Sequence, residues 1–366
     1  MEREALKTLT VFMISLIIRL TIAVQGIHGT DILFHVNGSR SLLLTGSPYC
    51  LAQYNYPPLY SAIQLSSILA LGWNPLGYKL MPVLFDSLLG LALYIITAMM
   101  TKDKGLALKT QIIWALNPLA IVASAWYGLF DSIPTLFALA SIIALARGYA
   151  SLSAVLVALG IDAKVFPALL LPPNSLHTRN REAKNVLIYI AISSITALAI
   201  WLALSIKCLD NALKSQLQFH LQRLDKGLSL TPYTPYQAVL SLVVPTIILT
   251  VIALWMRLEK RFTEVEYTTY ASLSLILLTA LNPFIYPHYL IWFLPPAIAS
   301  LVALHRGKGL AIATIITLVL SAIGLTYWRY YKVEAVVSML RPTLYTTLIA
   351  TTIALLLPLA KKHRVS

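Results

Sequence analysis

The apolar runs of this chain are about as long as a bilayer is thick, and they recur from end to end with short gaps between them. Crossing the hydrocarbon core as a helix takes about 20 mostly apolar residues, and stretches such as 79–100, 107–126, 186–206, 237–256 and 343–360 supply them. In lipid every backbone amide must be satisfied within the protein, so runs of this length build an α-helical bundle rather than a β-barrel. The scarcity of charge agrees: 11% of the 366 residues are charged and 58% are hydrophobic, whereas a soluble domain carries roughly a quarter charged residues. A water-facing surface cannot be built from that supply.

The net charge of +14 sits in the gaps. Lys102, Lys104 and Lys109 form one cluster, Arg179, Arg181 and Lys184 a second, and Arg257, Lys260 and Arg261 a third. His305, Arg306 and Lys308 follow, and Lys361, Lys362 and Arg364 close the chain. Short loops rich in Lys and Arg stay cytoplasmic, so the charge is read as topology and nucleic acid is set aside as a partner. With every cluster inside, the chain makes about twelve passes as one membrane domain over 1–366, both termini inside. The first run, 6–25, exceeds a signal-peptide core and is read as a retained crossing.

Two stretches need special treatment. Residues 57–73 are short and carry Ser61, Gln64, Ser66 and Ser67; they are read as a juxtamembrane helix within a long first outer loop, 26–78, whose opening part, 26–56, is of mixed composition. Residues 152–173 contain Asp162, Lys164 and Pro167 and are read as a tight hairpin with its apex near Asp162–Lys164. Such an apex lies partway down an outward-open cavity, because charge and irregular backbone at depth need water or protein around them. A second large outer loop covers 207–236. Cys50 and Cys208 both fall in outer segments, but two isolated cysteines are expected to be unpaired. No CxxC or HExxH pattern points to metal or redox chemistry.

An ionisable residue at membrane depth costs roughly 3 kcal/mol or more, which makes each one a functional candidate. This topology gathers them on the outer side: Asp31 after the first run, Asp131 after the third, Lys164 at the hairpin apex, and Arg19 near the outer end of the first helix. His220 and Arg223 lie in the 207–236 loop, and His288 with Tyr289 stands at the mouth of a later pass. Two carboxylates and several cations around one cavity suit glycosyl transfer from a lipid phosphate. A carboxylate can take the proton of an attacking hydroxyl, and cations can stabilise the departing phosphate.

Five stretches then carry a family likeness. Thr30-Asp31-Ile32 with Gly46-Ser47-Pro48-Tyr49 and Tyr54-Asn55-Tyr56-Pro57-Pro58-Leu59 resembles the first luminal loop of the GT-C mannosyltransferases, in particular the enzymes that add the first mannose to glycosylphosphatidylinositol anchors. Asn117-Pro118-Leu119 leading to Asp131-Ser132-Ile133 resembles their second acidic loop. Lys164-Val165-Phe166-Pro167 resembles their Lys-hydrophobic-aromatic-Pro element, Phe219-His220-Leu221-Gln222-Arg223-Leu224-Asp225 their aromatic-His-Leu-x-Arg-x-Asp loop, and Tyr289-Leu290-Ile291-Trp292 their Tyr-x-x-Trp helix. The resemblance covers 19 to about 300. It implies a GT-C fold in a prokaryotic, archaeal-type relative and a polyprenyl- or dolichyl-phosphate sugar donor, with mannose as the sugar. Asp31 and Asp131 become catalytic candidates, and Lys164, Arg223, His220 and Arg19 partners of the donor phosphate. Tyr56, Tyr127, His288 and Tyr289 fall at the substrate cavity.

Two departures are visible. Leu33 stands where the anchor enzymes carry the second Asp of Asp-x-Asp, so a divalent metal is not favoured and no cofactor is expected. A His-Asn-Phe-Ser run is replaced by Lys226-Gly227-Leu228-Ser229, which leaves a lipid, glycan or protein acceptor open. The compact loops place the protein in a prokaryotic plasma membrane with its site facing outside. Structural roles compete at each position: Asp31 and Asp131 as helix caps, Lys164 as a neutraliser of Asp162, Arg19 as a snorkelling cation, and His288 as an interfacial histidine. At the level of the whole chain the alternatives are a lipid or glycolipid transporter, which should show two similar halves with broken helices, and an inactive GT-C-like subunit.

Overall fold

The computed structural model describes residues 2–177, 183–222, 227–230, 235–258 and 263–364. Arg179, Arg181, Arg223, Asp225, Lys260 and Arg261 lie outside them. Among the described residues the regular structure is helical, apart from one isolated bridge between Gly227 and Ile285. In chain order the helices are α1 (Glu2–Ala23), α2 (Asp31–Thr45), α3 (Leu59–Leu71), α4 (Pro75–Thr101), α5 (Lys104–Ala115), α6 (Pro118–Ile121), α7 (Ser132–Ala146) and α8 (Ala150–Ala163). They continue with α9 (Leu171–Leu176), α10 (Ala183–Ser205), α11 (Leu209–Gln222), α12 (Pro235–Leu258), α13 (Glu264–Leu281), α14 (Leu294–Tyr330) and α15 (Glu334–Arg364).

Among the described residues six segments are long and apolar enough to cross a bilayer: Arg3–Ala23, Pro75–Thr101, Lys184–Gln216, Val239–Met256, Pro287–Tyr330 and Glu334–Ala360. The broken pair Lys104–Ala115 and Pro118–Trp126 makes a seventh. The chain is an integral membrane protein. The break in that pair is local chemistry. Pro118 lacks an amide hydrogen and disfavours helix in the residue before it, and Asn117 Oδ1 takes up the Leu119 amide at 3.0 Å. Other expected passes fall on shorter helices, α7 with 15 residues and α8 with 14.

The long segment through α14 is a helical hairpin. Arg306 has φ 54° and ψ −127°, and a Cβ placed on Gly309 would collide with the Leu301 carbonyl. In a straight helix residues eight apart are separated by about 12 Å, so the chain folds back here, as two separate runs at 288–304 and 309–327 require. Arg306 Nη1 donates to the Thr101 carbonyl at 3.1 Å, which satisfies an end carbonyl of α4.

The chain divides into two compact units, one of Met13–Leu88 with Ile121–Arg223 and one of Met1–Phe12, Leu89–Ala120 and Leu224–Ser366. In the second unit α12 packs on α13, α13 on α14 and α14 on α15. In the first, α7 packs on α8, α8 on α10 and α2 on α3. Residues 26–78 therefore hold two helices, α2 and α3, the second within the stretch 57–73 that was read as helical. α2 was not expected, because its buried stripe of Ile32, His35, Val36 and Ser39 has helical spacing but is half polar. Gly46, at φ 81°, ends α2 by donating its amide to the Leu42 carbonyl at 2.8 Å, the left-handed cap that glycine adopts without strain. In 152–173 the helix stops at Ala163, and Lys164 is extended ahead of a 3-10 turn, Phe166–Leu170.

Cys50 and Cys208 are joined in a disulfide, with Cα atoms 5.4 Å apart. This corrects the expectation of two free thiols; the partners are 158 residues apart, a distance over which sequence gives no pairing signal. Neither cysteine of the untreated protein should react with a maleimide, and both should react after reduction. Stoichiometric labelling without a reductant would show that the bridge does not form.

Candidate functional site

The first unit gathers the charged residues that stand out in the sequence. Asp131 occupies the N-cap position of α7, yet its side chain makes no capping hydrogen bond. Its Oδ1 instead accepts from Lys164 Nζ at 2.6 Å, and both side chains are buried. Lys164 thus pairs with Asp131 and not with Asp162, whose buried Oδ2 has no hydrogen-bond partner among the described residues. The Lys164 ammonium lies 5.3 Å from the Phe130 ring centre and 5.7 Å from that of Tyr56, within cation–π range.

An aromatic cluster backs this pair. Phe130 stacks on Tyr60 at 4.0 Å. His35 meets Phe130 edge-on at 4.9 Å and lies 5.0 Å from both Tyr56 and Tyr60. His35 is fully buried on α2, one helical turn beyond Asp31, which opens that helix on its exposed side. Leu33 is exposed.

The two acidic loops are clasped by Lys79, near the start of α4. Its buried ammonium donates to the Gly26 carbonyl at 2.6 Å and the Trp126 carbonyl at 2.7 Å. His28 stacks on Trp126 at 3.6 Å. A Cβ on Gly29 would stand 3.1 Å from the half-buried Tyr127 ring, and one on Gly128 would strike Ile32. Gly128 has φ +69°, so conformation and space both call for glycine. The segments that carry Asp31 and Asp131 are therefore packed together.

Arg19 is wholly buried, and its Nε donates to Asp86 Oδ2 at 2.6 Å. Nη1 donates to Ser15 Oγ at 2.7 Å, and the Ser124 hydroxyl donates to the same Asp86 oxygen at 2.8 Å. An internal ion pair thus accounts for its charge, in place of lipid headgroups. Lys79, Asp86 and His35 are the residues that sequence reasoning passed over as parts of the site.

α11 is stitched to the loop between α2 and α3 beside the disulfide. Ser215 Oγ donates to the Tyr54 carbonyl at 2.8 Å, Gln216 Nε2 to the Tyr49 hydroxyl at 2.7 Å, and that hydroxyl to the Tyr56 carbonyl at 2.8 Å. Burial pushes the Tyr49 and Tyr54 phenols well above their ordinary range, so both stay neutral. His220 belongs to the last turn of α11, its side chain outside the described set, as Arg223 is entirely. His288 and Tyr289 lie in the other unit, in a 3-10 turn, Pro287–Ile291, where Tyr289 stacks on Trp292 at 4.2 Å and His288 meets Tyr289 edge-on at 4.8 Å. Among the described residues no three His, Cys, Asp or Glu side chains converge as metal ligands.

No protein-family model matches the chain, and no curated protein does. A solved structure does: ArnT from Cupriavidus metallidurans bound to undecaprenyl phosphate, at 15% sequence identity and a TM-score of 0.58, over 95% of this chain and 76% of that one. The chain has an ArnT-like fold.

The Lys164–Asp131 pair should behave as one unit. Removing either partner leaves a buried charge, so Lys164→Met or Asp131→Asn should each cost about 3–5 kcal/mol. The double variant should cost clearly less than the sum in chemical unfolding of the purified protein. Additive losses would show that the two charges do not interact.

Proposed function

We propose that this protein is a glycosyltransferase that moves a sugar, mannose in our reading, from a polyprenyl-phosphate donor to a lipid, glycan or protein acceptor on the outer side of a prokaryotic plasma membrane. The observation that carries the proposal is the buried Lys164–Asp131 pair, ringed by Tyr56 and Phe130 and packed in one unit with the segment that bears Asp31. An ArnT-like fold agrees with the GT-C reading of the motifs, and the ArnT structure was solved with undecaprenyl phosphate bound. The Cys50–Cys208 bridge supports an outward site, because disulfides persist in oxidising compartments, and it fastens the loop that carries Tyr49, Tyr54 and Tyr56.

In this scheme the acceptor hydroxyl attacks the anomeric carbon while the bond from that carbon to the phosphate oxygen breaks. The electron pair leaves with polyprenyl phosphate, and the hydroxyl proton passes to Asp31. Lys164 stabilises the negative charge on the leaving phosphate, and Asp131 holds the ammonium in place. Tyr56 and Tyr127 wall the acceptor side, while Arg223 and His220 contribute to the donor phosphate.

Purified protein given radiolabelled polyprenyl-phosphate mannose and a lipid extract should yield a labelled product. Asp31→Asn should lower transfer about 10²-fold or more, as loss of a general base does, with donor binding retained. Near-normal turnover in that variant would remove Asp31 from the mechanism.

The metal question has its own test. With Leu33 at the position of a second first-loop carboxylate, transfer should persist in EDTA and Leu33→Asp should not raise it. Complete loss on chelation, restored by Mg²⁺ or Mn²⁺, would instead make Asp31 and Asp131 metal ligands, since such ions are held by carboxylates and waters.

A further inference from the structure

A cavity of about 500 Å³ opens on the first unit, away from the Lys164–Asp131 pair in its lining. One wall is α2, through Asn37, Arg40, Leu43 and Leu44, and the other is Trp73 with Tyr78. Asn37, Arg40 and Leu44 recur at i, i+3 and i+7, so they share one stripe of the helix. The walls are fixed by hydrogen bonds beneath them. Ser39 Oγ on α2 donates to Gln64 Oε1 at 2.9 Å, and Gln64 Nε2 donates to the Tyr78 carbonyl at 3.1 Å.

The depth of this cavity follows from the chain. Trp73 lies two residues before the apolar segment Pro75–Thr101, which places it at the membrane surface, where Trp and Tyr are enriched. Trp73 is 45% exposed and Leu44 62%, and Trp73 meets Tyr78 edge-on at 6.5 Å. Between these apolar groups Arg40 is exposed and makes no ion pair with a described residue. No acidic residue lines the cavity.

We infer that this cavity binds the headgroup of an anionic phospholipid. The Arg40 guanidinium takes the phosphodiester, by the charge-assisted and frequently bidentate pairing Arg makes with phosphate. The Asn37 amide and Tyr78 phenol meet headgroup hydroxyls. Leu43, Leu44 and Trp73 take the glycerol and upper acyl chain. One cation matches the single charge of a phosphodiester, whereas a phosphate monoester carries about −1.5 to −2 near neutral pH. A zwitterionic headgroup would bring an ammonium to a site with Arg40 and no carboxylate. The inference stands apart from the glycosyl-transfer reading. Its consequence for the fold is that α2, which begins at Asp31, is held at headgroup level.

The test is native mass spectrometry of the detergent-purified full chain with phosphatidylglycerol, phosphatidylcholine, polyprenyl phosphate or polyprenyl-phosphate mannose added singly. The wild type should retain phosphatidylglycerol in preference to phosphatidylcholine. Arg40→Gln should weaken phosphatidylglycerol retention about tenfold or more, the effect of losing one charge-assisted bond, and leave the two polyprenyl lipids unchanged. Arg40→Lys should restore part of the loss. Because Arg40 is exposed, the variant should unfold at the wild-type midpoint. Equal retention of both phospholipids by the wild type would overturn the proposal, as would unchanged phosphatidylglycerol retention in Arg40→Gln. Selective loss of either polyprenyl lipid in that variant would overturn it too, and would give the cavity to the donor.

Discussion

A cation buried in an apolar bundle must find polar partners inside the protein, and in the first unit three of them do so by joining segments distant in sequence. Arg19 on α1 meets Asp86 on α4, Lys79 meets the carbonyls of Gly26 and Trp126, and Lys164 meets Asp131. Desolvating each ion costs several kcal/mol before any partner is counted, so these cations stay inside only while every partner is in place. The consequence is positional. Lys79 fixes where the first loop leaves α1 relative to the end of the broken helix, and those two segments lead to Asp31 and Phe130-Asp131. Around them Gly128 lets Ile32 and Lys79 approach the backbone, and Ala23, Val83 and Ala125 close the apolar layer behind.

Much of this was legible in the sequence, for reasons that differ from residue to residue. The membrane class followed from run length and charge scarcity. The break at Lys164 followed from Asp162, Lys164 and Pro167 inside an apolar run, and the hairpin at Arg306 from a basic cluster between two runs. Lys79 and Asp86 sit inside the run 79–100, where the rule that singled out Arg19 applies equally well; they were absorbed into a pass. What no local pattern could supply was partnership. Arg19 and Asp86 are 67 residues apart, Lys164 and Asp131 33, and the two cysteines 158. α2 escaped notice because its buried face is built partly of His35, Ser39 and Ser41, and a search for apolar periodicity passes over polar side chains that are buried for other reasons.

The loop between α2 and α3 owes its order to the bridge and to α11 together. The disulfide fixes one point of the loop, and the hydrogen bonds from Ser215 and Gln216 to Tyr54 and Tyr49 fix its orientation over the following turns. The loop in turn packs Tyr54 and Tyr56 against Phe34 and His35 on α2. Ring faces of Tyr56 and Phe130 then meet the Lys164 ammonium. The surroundings of the Lys164–Asp131 pair are therefore set by the disulfide-anchored loop as well as from within the helices.

The proposed scheme gives the two carboxylates different roles, with Asp31 as the base, as the sequence reading has it, and Asp131 as the partner of Lys164. A base must accept a proton during the reaction. If Asp131 did so, the Lys164 ammonium would lose the carboxylate charge 2.6 Å away in a buried setting, where breaking an ion pair is costly. That penalty would fall on the step at which negative charge builds on the leaving phosphate, when a cation poised toward it is most useful. Asp31 differs in position. It opens α2 on the exposed side, where water or an acceptor can reach it, and its first-turn position gives the anion modest support from the helix dipole. In the proposed scheme the division is thus between a carboxylate that keeps a cation in place and one at the exposed opening of α2 that takes the proton.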